Sequence, residues 1–201
     1  MSIEAIVLTG GASTRMGRDK ATFPIAGVPL GELIVNFLVS HGLSVTVLGR
    51  TPIFGAHFIQ DSEDFAGPLV AIAAFQPSCD LVFIASCDLA SFDPSVVDLL
   101  CAELGEHQAA VPVVDEKLQP LCALYRAEAF DLIPGVLKEP RKSMMAWLNR
   151  LSVKEVAENR LSDAGIATQA VRGANTPAEF EQLASASEVF TDPRRTPELG
   201  C

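Results

Sequence analysis

Residues 3–20 read IEAIVLTGGASTRMGRDK. Ile3 to Leu8 is a short, mainly apolar run closed by Gly10-Gly11, so it reads as a buried strand that ends in a glycine turn. Working outward, Pro29 stands where a helix would begin, and Leu30, Leu33, Ile34, Phe37 and Leu38 recur at helical spacing up to Gly42. Val45–Leu48 and His57–Gln60 read as strands, and Gly67-Pro68 opens a helix through Phe75. Asp80–Ser86 (DLVFIAS) is a strongly apolar strand that runs into Cys87-Asp88. Asp93-Pro94 caps a helix through Leu104, with Gly105 as its stop.

The second half changes character. Gln108–Val114 and Leu121–Tyr125 read as strands around a polar turn at Asp115-Glu116-Lys117. Helices around 127–137 and 142–151, a strand near 168–171 and a last helix from Thr176-Pro177 to about Ala186 complete the reading. Strands alternating with helices predict the α/β class, with a mostly parallel sheet covered on both faces. In such sheets ligands gather beyond the carboxyl ends of the strands. The loop after Leu8 and the acidic end of DLVFIASCD therefore carry the functional weight.

Composition narrows the function. The chain has 201 residues, 49% hydrophobic and 20% charged, enough for one domain with a largely aliphatic core. Mean hydropathy is +0.29, yet no apolar run approaches the ~20 residues of a membrane helix. Glu4 stands where a secretory signal would be basic. A soluble, cytoplasmic protein with no membrane partner is expected. Net charge is −10, from 25 acids against 15 bases, which argues against nucleic acid as a partner. Cys79, Cys87, Cys101, Cys122 and Cys201 show no zinc spacing, and reduced thiols are the better reading.

Within this acidic chain the first loop stands out. Arg15, Arg18 and Lys20 fall within six residues, and Asp19 offsets one of them. The Gly10-Gly11 pair lets the backbone approach a ligand without Cβ interference, its amides can face phosphate oxygens, and Ser13 and Thr14 add hydroxyl donors. The P-loop pattern GxxxxGKS/T does not match, because Arg18 follows Gly17 and the spacing from Gly11 is one residue too long. The dinucleotide fingerprint fails at Ala12. A solvated surface loop is the bland alternative to a phosphate-binding one.

Asp88 follows an apolar strand, so its carboxylate should emerge at the sheet's carboxyl edge. A carboxylate there can hold Mg²⁺, which takes oxygen ligands while bridging substrate phosphates. The alternative role, a helix cap, suits Asp93 better. Asp61, closing the 57–60 strand, is on its own an ordinary loop acid. Gln119-Pro120, Asn175 and the basic Arg141-Lys142 before Ser143 could touch a second substrate or be plain turns, and Met144, Met145 and Trp147 read as core.

LTGGASTRMGRDKA (8–21) resembles the nucleotidyltransferase signature LxGGxSxRMGxDK, and most of all that of the molybdenum cofactor guanylyltransferases. DSEDFAGPL (61–69), ASCDLASFDP (85–94), QPLCALY (119–125) and ANTPAEF (174–180) follow in that family's order. Two departures stand out: Thr9 replaces the usual alanine, and the asparagine often found near Leu48-Gly49 is absent.

The resemblance implies a single-domain, Rossmann-like three-layer sandwich of the nucleotide-diphospho-sugar transferase type over residues 1–187. About 1–105 would be its nucleotide-binding half and 106–187 its acceptor half, with a loose tail over 188–201. It further implies Mg²⁺-dependent transfer of GMP from GTP to the phosphate of molybdopterin, giving the guanine dinucleotide form and pyrophosphate. On that pattern Arg15 and Lys20 are catalytic, Asp88 holds the magnesium, and Leu8, Thr9, Gly10, Gly11, Lys20, Asp61 and Asp88 bind the nucleotide. No general base is needed, since the attacking phosphate is already anionic. A molybdopterin cytidylyltransferase, a sugar-1-phosphate nucleotidyltransferase and a nucleotide-binding regulatory module are the alternatives; relatives specific for CTP usually carry an AAG-type first loop, which Gly10-Gly11 disfavours. A molybdoenzyme or chaperone partner is compatible with the resemblance and leaves no mark on the residues.

Overall fold

Strand β1 (Ile3–Leu8) sits in the interior of the sheet because it has an apolar surface to bury on each side. Ala5 and Val7 pack into one apolar cluster, Ile6 and Leu8 into another, as the two-residue period of a strand requires. The structure is a computed structural model that describes residues 1–10, 20–25, 27–60 and 67–174. A 3-10 turn (Lys20–Thr22) and a small hairpin of β2 (Pro24–Ile25) and β3 (Val28–Pro29) lead into α1 (Leu30–Ser40). Then come β4 (Ser44–Gly49), β5 (His57–Gln60), α2 (Pro68–Ile72), β6 (Leu81–Ser86) and α3 (Ser95–Glu103). The second half holds β7 (Ala109–Val114), β8 (Lys117–Leu118), β9 (Cys122–Arg126), a 3-10 segment (Ala127–Leu132) and α4 (Ile133–Val136). It continues with α5 (Met144–Leu148), β10 (Val153–Val156), α6 (Glu158–Asp163) and a last 3-10 turn (Thr168–Val171).

The main sheet runs β10-β7-β9-β6-β1-β4-β5, with β8 paired to β7. β6, β1, β4 and β5 are parallel neighbours, and β10 is parallel to β7. β9 runs against both β6 and β7. The chain lays β4 and β5 on one side of β1 and returns to place β6 on the other, so the sheet reverses its direction of growth at β1. That is where ligands of open α/β sheets sit. α1, α3 and α6 cover one face and α2, α4 and α5 the other. The expected α/β three-layer sandwich with a mostly parallel sheet is therefore the observed fold.

Several local readings need correction. Residues 168–171 form a 3-10 turn, not a strand: the buried pair Ala170-Val171 packs against the α1/α3 face and has no strand partner. The strand at that edge is β10, whose polar Lys154 and Glu155 conceal it, and α6 buries only Leu161. The helix read over 127–137 is a 3-10 segment followed by a single α turn, with Pro134 at the start of the latter. The helices read over 68–75 and 142–151 are five residues each. The helix read over 176–186 and the tail over 188–201 lie outside the described residues. Among the described residues no helix is long and apolar enough to cross a membrane.

Candidate active site

Parallel registers bring three strand ends to one level. Leu8 is paired with Leu48 of β4 and with Ser86 of β6. One residue further, the Thr9 amide donates to Leu48 O at 2.9 Å and the Cys87 amide to Leu8 O at 2.9 Å. Ser86 N donates to Leu121 O, also at 2.9 Å, which ties the Gln119-Pro120-Leu121 loop to the same edge. Thr9-Gly10, Gly49, Cys87-Asp88 and residues 119–121 thus share one rim. Among the described residues, the start of the first loop (Thr9-Gly10) and the acidic end of β6 therefore lie at one edge of the sheet.

Thr9 is buried, and its hydroxyl donates to Leu48 O at 3.4 Å. A Cβ on residue 49 would overlap that hydroxyl and come within 3.1 Å of Thr9 Cβ and 3.3 Å of the Gly10 amide nitrogen. With threonine at 9, the backbone leaves no room for a side chain at 49.

Asp88 lies in the turn after β6 and is half-buried. The Ser86 hydroxyl donates to its Oδ1, and its carbonyl accepts from Ala90 N at 2.9 Å and from Ala174 N at 2.8 Å. The N-cap of α3 is Pro94, without a side-chain cap, so Asp93 is not the cap residue expected; its Oδ1 accepts the Ser95 amide at 2.9 Å and the Ser95 hydroxyl, while Asp88 lies seven residues before the helix. On β9, opposite Ala85, burial and then the negative charge of Asp88 push the Cys122 thiol far above the usual thiol range. Cys122 is a fully buried thiol on the strand next to that carboxylate. An oxygen neighbourhood of one carboxylate and one hydroxyl fits magnesium, which takes one or two carboxylates and completes its shell with water and substrate phosphate.

The backbone of Lys20 opens the 3-10 turn that packs on α1. Because α1 runs from the carboxyl edge back toward the start of β4, that turn belongs to the same edge as Asp88. Gly11, Ser13, Thr14, Arg15, Arg18, Asp61 and Asn175 lie outside the described residues.

The acceptor-side candidates divide. Gln119 donates through Nε2 to Lys117 O at 3.0 Å, and Pro120 O accepts the Tyr125 hydroxyl at 2.8 Å, so this loop is held rigidly at the rim. Arg141 and Lys142 are exposed, and Ser143 caps α5 by accepting the Ala146 amide at 3.2 Å. Met144 and Trp147 are core, the indole stacking on Tyr125 at 4.6 Å, whereas Met145 is 45% exposed. Ser86 and Gly49 were not singled out by sequence; a hydroxyl two residues before Asp88 on the same strand end was the available signal for the first.

A family model for the MobA-like NTP transferase domain matches residues 5–156. The molybdenum cofactor guanylyltransferase of Desulfosudis oleivorans is 27% identical over 193 residues, spanning 92% of this chain and 96% of that one. A probable molybdenum cofactor guanylyltransferase of Mycolicibacterium paratuberculosis is 28% identical over 200 residues, spanning 92% and 97%. Among solved structures, molybdopterin-guanine dinucleotide biosynthesis protein A from Archaeoglobus fulgidus superposes with a TM-score of 0.77 at 21% identity, covering 92% of this chain and 99% of that one. The fold extends to 2-C-methyl-D-erythritol 4-phosphate cytidylyltransferase from Thermus thermophilus, at TM-score 0.68 and 13% identity over 94% and 100%. The family match begins inside β1 and ends with β10, taking in the whole rim that carries Thr9 and Asp88, and the chain belongs to the MobA-like NTP transferase domain family.

Proposed function

We propose that this protein transfers GMP from GTP to the terminal phosphate of molybdopterin, releasing pyrophosphate and leaving a guanine dinucleotide form of the cofactor. The observation that carries the reading is the shared rim: Asp88 lies two residues beyond Ser86, the β6 residue paired with Leu8, and so stands at the edge where Thr9-Gly10 begin the glycine loop. Relatives bearing the guanylyltransferase name match nearly end to end, which supports the same substrates here.

In the reaction, a phosphate oxygen of molybdopterin attacks the α-phosphorus of GTP. The bond from that phosphorus to the oxygen bridging to the β-phosphate breaks, and pyrophosphate departs with the electron pair. Proton transfer is not required, so the protein acts by positioning and by countering charge. Leu8, Thr9, Gly10 and Gly11 line the nucleotide, with the glycine amides against its phosphates. Arg15 and Lys20 counter the charge that builds on the leaving pyrophosphate, and Asp61 contacts the base or ribose side. Asp88, whose Oδ1 accepts the Ser86 hydroxyl, would hold the magnesium, which would supply neutralisation of phosphate charge. The Gln119-Pro120 loop borders the acceptor. Residues 1–105 serve the nucleotide and 106–187 the acceptor. Among the described residues, Cys79, Cys87, Cys101 and Cys122 form no disulfide, which suits work in the reducing cytoplasm.

The test is pyrophosphate release from GTP, CTP and ATP in turn, each with Mg²⁺ and molybdopterin. Release from GTP alone supports the reading; release from CTP in preference overturns the choice of base, and nucleotide binding without release overturns the enzymatic reading.

A further inference from the structure

The last described segment of the chain crosses directly over the acidic residue of the rim. After the 3-10 turn buries Ala170 and Val171, Arg172 Nη1 pairs with Asp115 Oδ2 at 2.9 Å. Asp115 lies in the two-residue β7–β8 turn with φ of 50°, and its own amide donates to Glu158 Oε1 at 2.8 Å. Two residues past Arg172, the buried Ala174 donates its amide to Asp88 O at 2.8 Å. The residue between these two anchors is Gly173.

A Cβ on Gly173 would lie 2.7 Å from Asp88 Oδ1, 2.8 Å from Cγ and 2.9 Å from Oδ2. Near-equal distances to all three atoms place it above the face of the carboxylate. A group approaching in the carboxylate plane, from the oxygen side, would lie clearly nearer the oxygens than Cγ. Backbone therefore covers a face of the group, and the plane, where metal ions coordinate carboxylates, keeps a fixed orientation together with the Ser86 hydroxyl on Oδ1. Any side chain at 173 would have to push the carboxylate or the strap aside, and both ends of the strap are anchored. The effect on a ligand group is of the kind that neighbours of metal ligands exert by orienting them.

The geometry points to Gly173 as a positioning residue for Asp88: the missing Cβ lets the 172–174 strap lie on the carboxylate and set its plane for a divalent cation bound with the nucleotide. This rests on Asp88 being the metal ligand. It adds a distant part of the chain, 85 residues away in sequence, to the metal-binding apparatus, and it makes the Arg172–Asp115 pair the outer fastening of the strap.

The experiment measures, on the full-length protein by calorimetry, how many-fold Mn²⁺ tightens GTP binding relative to metal-free buffer. For Gly173→Ala, that coupling factor should fall about tenfold or more, with metal-free GTP affinity unchanged. A merely structural defect would instead weaken GTP in both buffers, and that result overturns the proposal. Asp88→Asn should lower the factor at least as far, and the double variant should be no worse than Asp88→Asn alone, since both changes act through one carboxylate. Losses that multiply in the double variant overturn the proposal. Wild-type coupling in Gly173→Ala, with coupling lost in Asp88→Asn, overturns it while the Asp88 reading stands. Wild-type coupling in Asp88→Asn, or none in the wild type, overturns the Asp88 reading, and the proposal falls with it. Should Gly173→Ala not fold, Arg172→Gln frees the outer fastening without adding an atom near Asp88. A severalfold drop in coupling supports the strap, and wild-type coupling overturns it.

Discussion

The Thr9 hydroxyl fills the space that a side chain on residue 49 would need, so these positions on neighbouring parallel strands are chosen together. Gly49→Ala forces the buried threonine off its bond to Leu48 O or moves the end of β4. Overpacking of this kind costs about 1–3 kcal/mol, which for a chain of this size lowers Tm by roughly 2–4 °C per kcal/mol. Thr9→Ala combined with Gly49→Ala should recover most of the loss in a thermal melt. Equal melting of the single and double variants would show that the two residues do not compete for space.

Charge at the rim is the second target. Lys20→Ala should leave the melting temperature unchanged and lower kcat by about 10²–10³, the usual cost of removing one group that meets developing negative charge. Asp88→Asn should instead raise the Mg²⁺ concentration giving half-maximal rate. Steady-state kinetics with magnesium titrations separates the two, and identical profiles for both variants would contradict the division of roles.

Much of this architecture could be read before the structure because apolar runs such as Asp80–Ser86 are dense and sharply ended. Each buried strand needs both faces apolar, and glycine or proline marks where it stops. β10 escaped because an edge strand has less to bury: Lys154 and Glu155 occupy its centre, and Val156 alone is fully buried. The 168–171 turn misled because two adjacent buried residues suit a strand end and a 3-10 turn equally. Asp88 was visible from its place at the end of β6. Its neighbours Cys122 and Gly173 were not, since a contact made by chain crossing leaves no local periodicity.

The Gln119-Pro120 loop, proposed to border the acceptor, is the third target. The Tyr125 hydroxyl fixes Pro120 O, and Tyr125 is itself held by stacking on the fully buried Trp147, whose Nε1 donates to Ala129 O at 3.0 Å. Tyr125→Phe keeps the stack and releases the loop. KM for molybdopterin should rise severalfold while KM for GTP stays put. Trp147→Ala removes the support altogether and should destabilise the protein by about 3–5 kcal/mol. A Tyr125→Phe enzyme with wild-type KM for both substrates would detach this loop from acceptor binding.

Alkaline pH provides the last test. Burial, reinforced by Asp88, raises the Cys122 thiol well above its ordinary value of 9.0 in the folded protein. The unfolded chain therefore loses this proton first. Stability from the neutral thiol is complete below about pH 9 and declines as pH rises from there toward the folded-state value. Melting temperatures should accordingly fall from pH 9 upward, and Cys122→Ala should flatten that limb although it lowers Tm at pH 7 by opening a small cavity. The same chemistry predicts that iodoacetamide at pH 8 modifies the half-buried Cys79 in the native protein well before the fully buried Cys122. Rapid native alkylation at Cys122, mapped by mass spectrometry, would mean that the β9 end of the rim opens in solution and that the thiol is not shielded beside Asp88.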